Sequence, residues 1–200
     1  YAAQVGTPLP REASIALACP IVGDLLRLTN NPWTLRRGLL QAQLGLDRLL
    51  LLNDFEAVGH SLSHIDTAFL LHLCGPETAL PANGVVSIVG PGTGLGVGLV
   101  LFDNGKARVI ATEGGHTSFA PLDAIEDSIL AHLRKQHAHV SVERVVSGPG
   151  LANIYEALGA LEGRSLSAAD HKALWDKALH GEDSLAAAAL ERFCLCLGAF

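Results

Sequence analysis

The 200-residue sequence predicts an α/β protein, and three features carry that prediction. A strand-length apolar run (13–20), a stretch of helically spaced leucines (31–45) and a four-leucine run (49–52) follow one another, the order of a βαβ crossover. At 85–112 two Val-rich runs flank a glycine loop, and an Asn-Gly turn leads into a third run, which reads as a meander. Helical stretches then fill the remainder. Composition agrees, with 49% hydrophobic and 17% charged residues, enough to build a sizeable core. The net charge of -6 is scattered, which argues against a nucleic-acid surface built on clustered Lys and Arg.

The elements follow in order. "ASIALACP" (13–20) is a strand closed by Pro20, and "IVGDLLRLTN" (21–30) reads as a second with a Gly-Asp turn. Asn31 as N-cap and Pro32 at the first helical position open a helix over 31–45, with Leu35, Leu39, Leu40 and Leu44 at helical spacing. Leu49 to Leu52 reads as a parallel strand buried on both sides. Asn53 and Asp54 then lie past the carboxyl end of a strand, where open α/β sheets hold their ligands. A helix cap is the plainer role for the same pair. A helix is expected over 55–73, and a Pro/Gly-rich stretch (74–84) divides the two halves. The meander strands fall at 85–89, 97–102 and 106–112, with Asn104-Gly105 tolerating positive φ at a hairpin turn. Helices are expected near 123–137, 149–161, 167–180 and 184–200.

Cys19, Cys74, Cys194 and Cys196 lack zinc-ribbon spacing, and Cys194 and Cys196 read as buried thiols of an apolar helix. A reducing, cytoplasmic setting fits them. No apolar run reaches the ~20 residues that span a bilayer, so no membrane partner is expected. The chain opens without Met and stops inside an apolar run, which predicts a piece of a longer protein, incomplete at both ends.

"GPGTGLGVG" (90–98) fits neither G-x-G-x-x-G nor the P-loop pattern, and it joins strand to strand instead of strand to helix. Five glycines in nine residues exceed what a tight hairpin needs. A backbone without Cβ atoms approaches a ligand closely, and successive N–H groups form an anion nest. Thr93 adds a hydroxyl. The two readings are a phosphate cradle and a plain turn.

In "ATEGGHTSFAP" (111–121), Glu113 and His116 can converge because two glycines let the chain fold tightly between them. Alone, His116 reads as a structural histidine and Glu143 as a solvated charge. Together, carboxylates, a carboxamide and an imidazole suit the fixed hydrogen bonds of a polyol. Phosphoryl transfer to a hydroxyl needs a carboxylate to accept its proton, a preorganised phosphate cradle and charge compensation. Asp54, the glycine loop and Glu113/His116/Glu143 supply the protein parts of that set.

The segments "ALACPIVGD", "LTNNPW", "LLNDFEAVG", "GPGTGLGVG", "EGGHTSFAP" and "VERVVSGPGLANIY" resemble the bacterial glucokinase family, within the actin/hexokinase/Hsp70-like ATPase superfold. The resemblance implies two α/β lobes on ribonuclease-H-like sheets, with sugar and ATP in the cleft between them. Residues 1–64 would be the remainder of the small lobe and 65–200 part of the large one. It implies ATP-dependent phosphorylation of the glucose 6-hydroxyl with Mg²⁺. Asp54 is then the general base and, with Asn53, Gly94, Glu113, His116 and Glu143, a sugar-site residue. Gly92, Thr93 and Gly94 belong to the second phosphate motif. No residue is singled out as a metal ligand, and a homodimer is left open. The first phosphate hairpin and the glycine pair that supports adenosine are not among these 200 residues, so this piece alone is expected to bind sugar weakly and not to turn over. The zinc motif of ROK-type sugar kinases is also missing, which implies the zinc-free branch. A non-catalytic sugar-binding module, or an enzyme for another hexose or phosphoryl donor, is the alternative.

Overall fold

The computed structural model describes residues 10–28, 31–167 and 170–200. By compactness the chain falls into two units. One holds residues up to Ile88 together with Gly98–Ala111, and the other holds Val89–Val97 and Thr112–Phe200.

In the first unit, β1 (Glu12–Leu17) pairs in parallel with β4 (Arg48–Asn53), in register from Glu12 opposite Arg48 to Leu17 opposite Asn53. The crossover between them carries an antiparallel pair, β2 (Leu25–Arg27) and β3 (Thr34–Arg36), and then α1 (Arg37–Gln43). Cys19, Leu26 and Leu51 are buried together, with Ile15, Leu35 and Leu49 packed around them. The expected parallel strand is present. Its burial on both sides is not, because Leu50 is 47% exposed while Leu51 is 4%.

The helix expected over 31–45 begins only at Arg37. Asn31 does not cap it; its Oδ1 accepts the Trp33 N–H at 3.0 Å in a local turn. Thr34–Arg36 instead finds backbone partners in Leu25–Arg27, a tertiary pairing that overrides helical spacing. The strand expected over 21–30 is confined to Leu25–Arg27, and Thr29 and Asn30 lie outside the described residues.

The helix expected over 55–73 also stops early. α2 spans Asp54–Ser61, and Thr67–Phe69 forms a separate 3-10 turn. Past the last turn of α2, Asp66 Oδ1 accepts the Ala68 N–H at 2.9 Å, opening that new turn. α2 lies close over the sheet: a Cβ on Gly59 would meet Val109 Cγ1 at 2.5 Å.

The meander forms as expected, with β5 (Gly84–Pro91), β6 (Leu95–Asp103) and β7 (Lys106–Thr112) adjacent in sequence order. Asn104 and Gly105 turn the chain with φ of 48° and 76°. Ala82 O receives the Gly105 N–H at 3.0 Å.

The second unit is mainly helical: α3 (Ala124–Leu133), α4 (Gly148–Leu161), α5 (His171–His180) and α6 (Ser184–Ala199). Each opens on a side-chain cap, Asp123, Ser147, Asp170 and Asp183 respectively, accepting first-turn N–H groups. The apolar faces bury Ile129, Leu133, Leu151, Ile154, Leu174 and Phe193 in one core. Trp175 meets Phe193 edge-to-face, with ring centroids 5.1 Å apart. Cys196 is buried there, whereas Cys194, expected to be buried with it, is exposed. No described helix is long and apolar enough to cross a membrane.

Candidate functional site

Asn53 ends β4 and caps α2. Its Oδ1 accepts the Phe55 and Glu56 N–H groups at 2.9 and 3.3 Å, and Glu56 returns a carboxylate to the Asn53 N–H at 3.2 Å. This is a complete capping box. The Asn53 amide also donates to the Cys19 carbonyl at 3.3 Å, tying the strand end to the chain leaving β1. The carboxamide is therefore largely committed to the fold. Asp54 occupies the first position of the helix, and only its Oδ1 is engaged, by the Phe55 N–H at 3.0 Å. The other oxygen accepts no described hydrogen bond. Burial pushes the Cys19 thiol up, and the Asp54 carboxylate pushes it the same way. Asn53 thus fills the cap role, and Asp54 beside it keeps one carboxylate oxygen without a described hydrogen bond.

In the second unit, the loop after β5 answers the question of its glycines. Neither Gly92 nor Gly94 adopts the left-handed conformation that would require glycine. Gly94 is needed for space, because a Cβ there would collide with the Glu143 carboxylate. Gly92 is not: nothing lies within 4 Å of where its Cβ would point. The loop is exposed at Gly92 and Thr93. It is braced by Gly92 N–H to Gly94 O at 2.8 Å and by Gly148 N–H to Gly92 O at 2.7 Å. No described hydrogen bond occupies the Thr93 or Gly94 N–H. Two free amides beside an open glycine suit an anion with several acceptor oxygens, so a nucleotide's phosphates fit the residues present.

Leu95, the first residue of β6, joins the remaining candidates. Its N–H donates to Glu143 Oε2 at 2.9 Å. Its carbonyl lies where a Cβ on Gly115 would be, so the Glu113–His116 turn can pack here only with glycine at 115. The Thr112 hydroxyl donates to Val97 O at 2.9 Å and receives the Gly114 N–H at 3.3 Å, while the Thr117 hydroxyl donates to Gly114 O at 2.8 Å. The chain then runs beside the segment that carries Glu143: Phe119 N–H reaches Val140 O at 3.0 Å and Val142 N–H reaches Thr117 O at 2.9 Å. Glu113 and His116 face each other at 3.6 Å with side chains 63% and 59% exposed. An ion pair so open adds little stability, which leaves both groups available to a ligand.

Thus Gly92, Thr93, Gly94, Glu113, His116 and Glu143 gather in the second unit, and Asn53 and Asp54 belong to the first. Sequence reasoning missed two neighbours of the loop. Ser147 caps α4 through the Gly150 N–H at 3.0 Å and so presents Gly148 to Gly92. His171, opening α5, places its ring against Gly148, with Cδ2 3.4 Å from the Cβ position there. Ser147-Gly148-Pro149-Gly150 was legible as a helix-opening turn, whereas nothing near His171 in the sequence marks it.

A family model described as Glucokinase matches residues 1–200. The glucokinase of Zymomonas mobilis subsp. mobilis is 55% identical over 199 residues, which covers 100% of this chain and 61% of that protein. A crystal structure of a glucokinase from an Antarctic psychrotroph superposes with a TM-score of 0.74 at 31% identity, covering 92% of this chain and 57% of that one. A glucokinase from Balamuthia mandrillaris, solved in complex with glucose, gives a TM-score of 0.70 at 22% identity over 94% of this chain and 60% of that one. The chain thus spans about three fifths of the length of each of these three proteins.

Proposed function

The chain belongs to the glucokinase family, and on that premise we propose that the protein containing it transfers the γ-phosphoryl group of ATP to the 6-hydroxyl of glucose. The α/β fold of its solved relatives, of the actin/hexokinase ATPase type, is the setting. The observation that carries the reading is Gly92, a glycine that neither backbone conformation nor packing requires, in an exposed loop with two uncommitted amides.

Each step assigns work to residues of this chain. The free oxygen of Asp54 takes the proton of the attacking hydroxyl, while the Phe55 N–H holds the other oxygen at the start of the helix that Asn53 caps. Asn53 keeps one amide hydrogen for a neighbouring sugar hydroxyl. Glu113, His116 and Glu143 accept and donate hydrogen bonds around the ring. The Thr93 and Gly94 amides with the Thr93 hydroxyl hold phosphate oxygens in fixed positions, so that little reorganisation is left for the transfer itself. No three described His, Cys, Asp or Glu side chains are grouped to hold a metal ion. Mg²⁺ would be held mainly by the phosphates it accompanies, compensating their charge. The four cysteines are free, which suits work in the cytoplasm.

The test is a coupled assay on the intact protein across a panel of sugars and phosphoryl donors. Glucose-dependent ADP formation, lost with 6-deoxyglucose, is the expected result. Glucose binding without ADP formation would overturn the reading in favour of a non-catalytic sugar-binding module.

A further inference from the structure

We infer that Glu143 is a positioning residue for the phosphate loop as well as a sugar ligand, so that one carboxylate links the two substrates. Oε2 accepts the Leu95 N–H at 2.9 Å, immediately after the loop 92–94. The carboxylate rests over Gly94, in space that opens only because that residue lacks a Cβ. Its own backbone is firmly held. Glu143 sits in the 3-10 turn Val142–Arg144, between the buried Val142 and Val145, and Val146 N–H closes on Val142 O at 2.7 Å. A fixed carboxylate therefore sets the exit of the phosphate loop, and Oε1 remains free of described hydrogen bonds.

One oxygen is committed to the loop and one is left for a hydroxyl. A sugar hydroxyl donating to Oε1 draws charge from the same group that fixes Leu95, and it also screens that charge from phosphates held at Thr93 and Gly94. Sugar binding and nucleotide binding are then coupled through a single side chain, reciprocally, as linkage requires. The sugar half of this inference rests on the phosphotransfer reading; the anchoring of the loop does not.

Two variants of the intact protein separate a positioning role from simple sugar contact. Affinity for a β,γ-imido ATP analogue with Mg²⁺ is measured without sugar, alongside glucose affinity and amide exchange at Leu95. Glu143→Ala removes the acceptor, and we expect sugar-free nucleotide affinity to fall at least fivefold and Leu95 exchange to quicken. Glu143→Gln keeps an acceptor oxygen without the charge. It should hold nucleotide affinity within twofold of wild type or improve it, while glucose affinity still falls. A Glu143→Ala variant with unchanged sugar-free nucleotide affinity overturns the inference. If the wild-type protein binds no nucleotide, the phosphotransfer reading fails instead, and Leu95 exchange still decides the anchor: unchanged exchange in Glu143→Ala overturns it.

Discussion

Gly92→Ala is the substitution where fold and function are expected to part most cleanly. The added methyl points into open space, and the residue is not in the left-handed region, so no backbone strain follows. Stability should stay within about 0.5 kcal/mol of wild type, as for surface changes away from special features. A ligand phosphate seated on this loop would meet that methyl. Losing one charge-assisted hydrogen bond costs about 1.5–3 kcal/mol. At about 1.4 kcal/mol per decade, the KM for ATP rises roughly 10- to 150-fold. The assay is steady-state ADP formation by the intact protein, varying ATP at saturating glucose and then the reverse, with a thermal midpoint on the same sample. The KM for glucose should stay within about threefold. An unchanged KM for ATP would mean that no phosphate sits on the loop.

Two further outcomes concern the helical unit. Glu126, 3% exposed, accepts the Leu122 N–H at 2.8 Å, pairs with Arg192 at 3.2 Å and lies 3.5 Å from Cys196 Sγ. Glu126→Ala leaves the Leu122 N–H without its acceptor and Arg192 with Asp123 alone, and should cost about 1–3 kcal/mol, read by denaturation followed at Trp175 in a Trp33→Phe background; an unmoved midpoint contradicts it. First-turn N–H groups hold the carboxyls of Asp123, Asp170 and Asp183 below the usual range, with Arg192 adding to the effect at Asp123. Depressed carboxyl pKa values stabilise the fold above the unfolded value of about 3.9, and that stability is lost as pH falls through the folded values. Replacing all three by Asn should flatten the acid limb of thermal midpoint against pH, and an equally steep limb would contradict the assignment.

What could be read from the sequence was what local chemistry decides. Asn104-Gly105 announced the β6–β7 turn, and the helical spacing after residue 123 announced four helices. The glycine density at 90–98 pointed to the loop, although Gly92 and Gly94 were told apart only by their neighbours: the Glu143 carboxylate lies against Gly94, and nothing in the fold lies against Gly92. One misreading was local, the helix over 55–73 that gave way to the Asp66 turn, and others were tertiary. Thr34–Arg36 has helical periodicity around it but pairs with Leu25–Arg27. Cys194 and Cys196 cannot share a helix face, because two residues on a helix turn by about 200°, and the core took Cys196. His171 reaches Gly148 from 23 residues away, a meeting that no local pattern encodes.

The proton-accepting role of Asp54 is tested most directly by kcat of Asp54→Asn in the intact protein. Asn retains an oxygen for the Phe55 N–H that Asp54 Oδ1 now accepts, so the helix start is preserved and only the base is removed. We expect kcat to fall by about 10²- to 10⁴-fold or more with glucose affinity within several-fold of wild type. A variant that turns over at near wild-type rate would show that the proton leaves by another route.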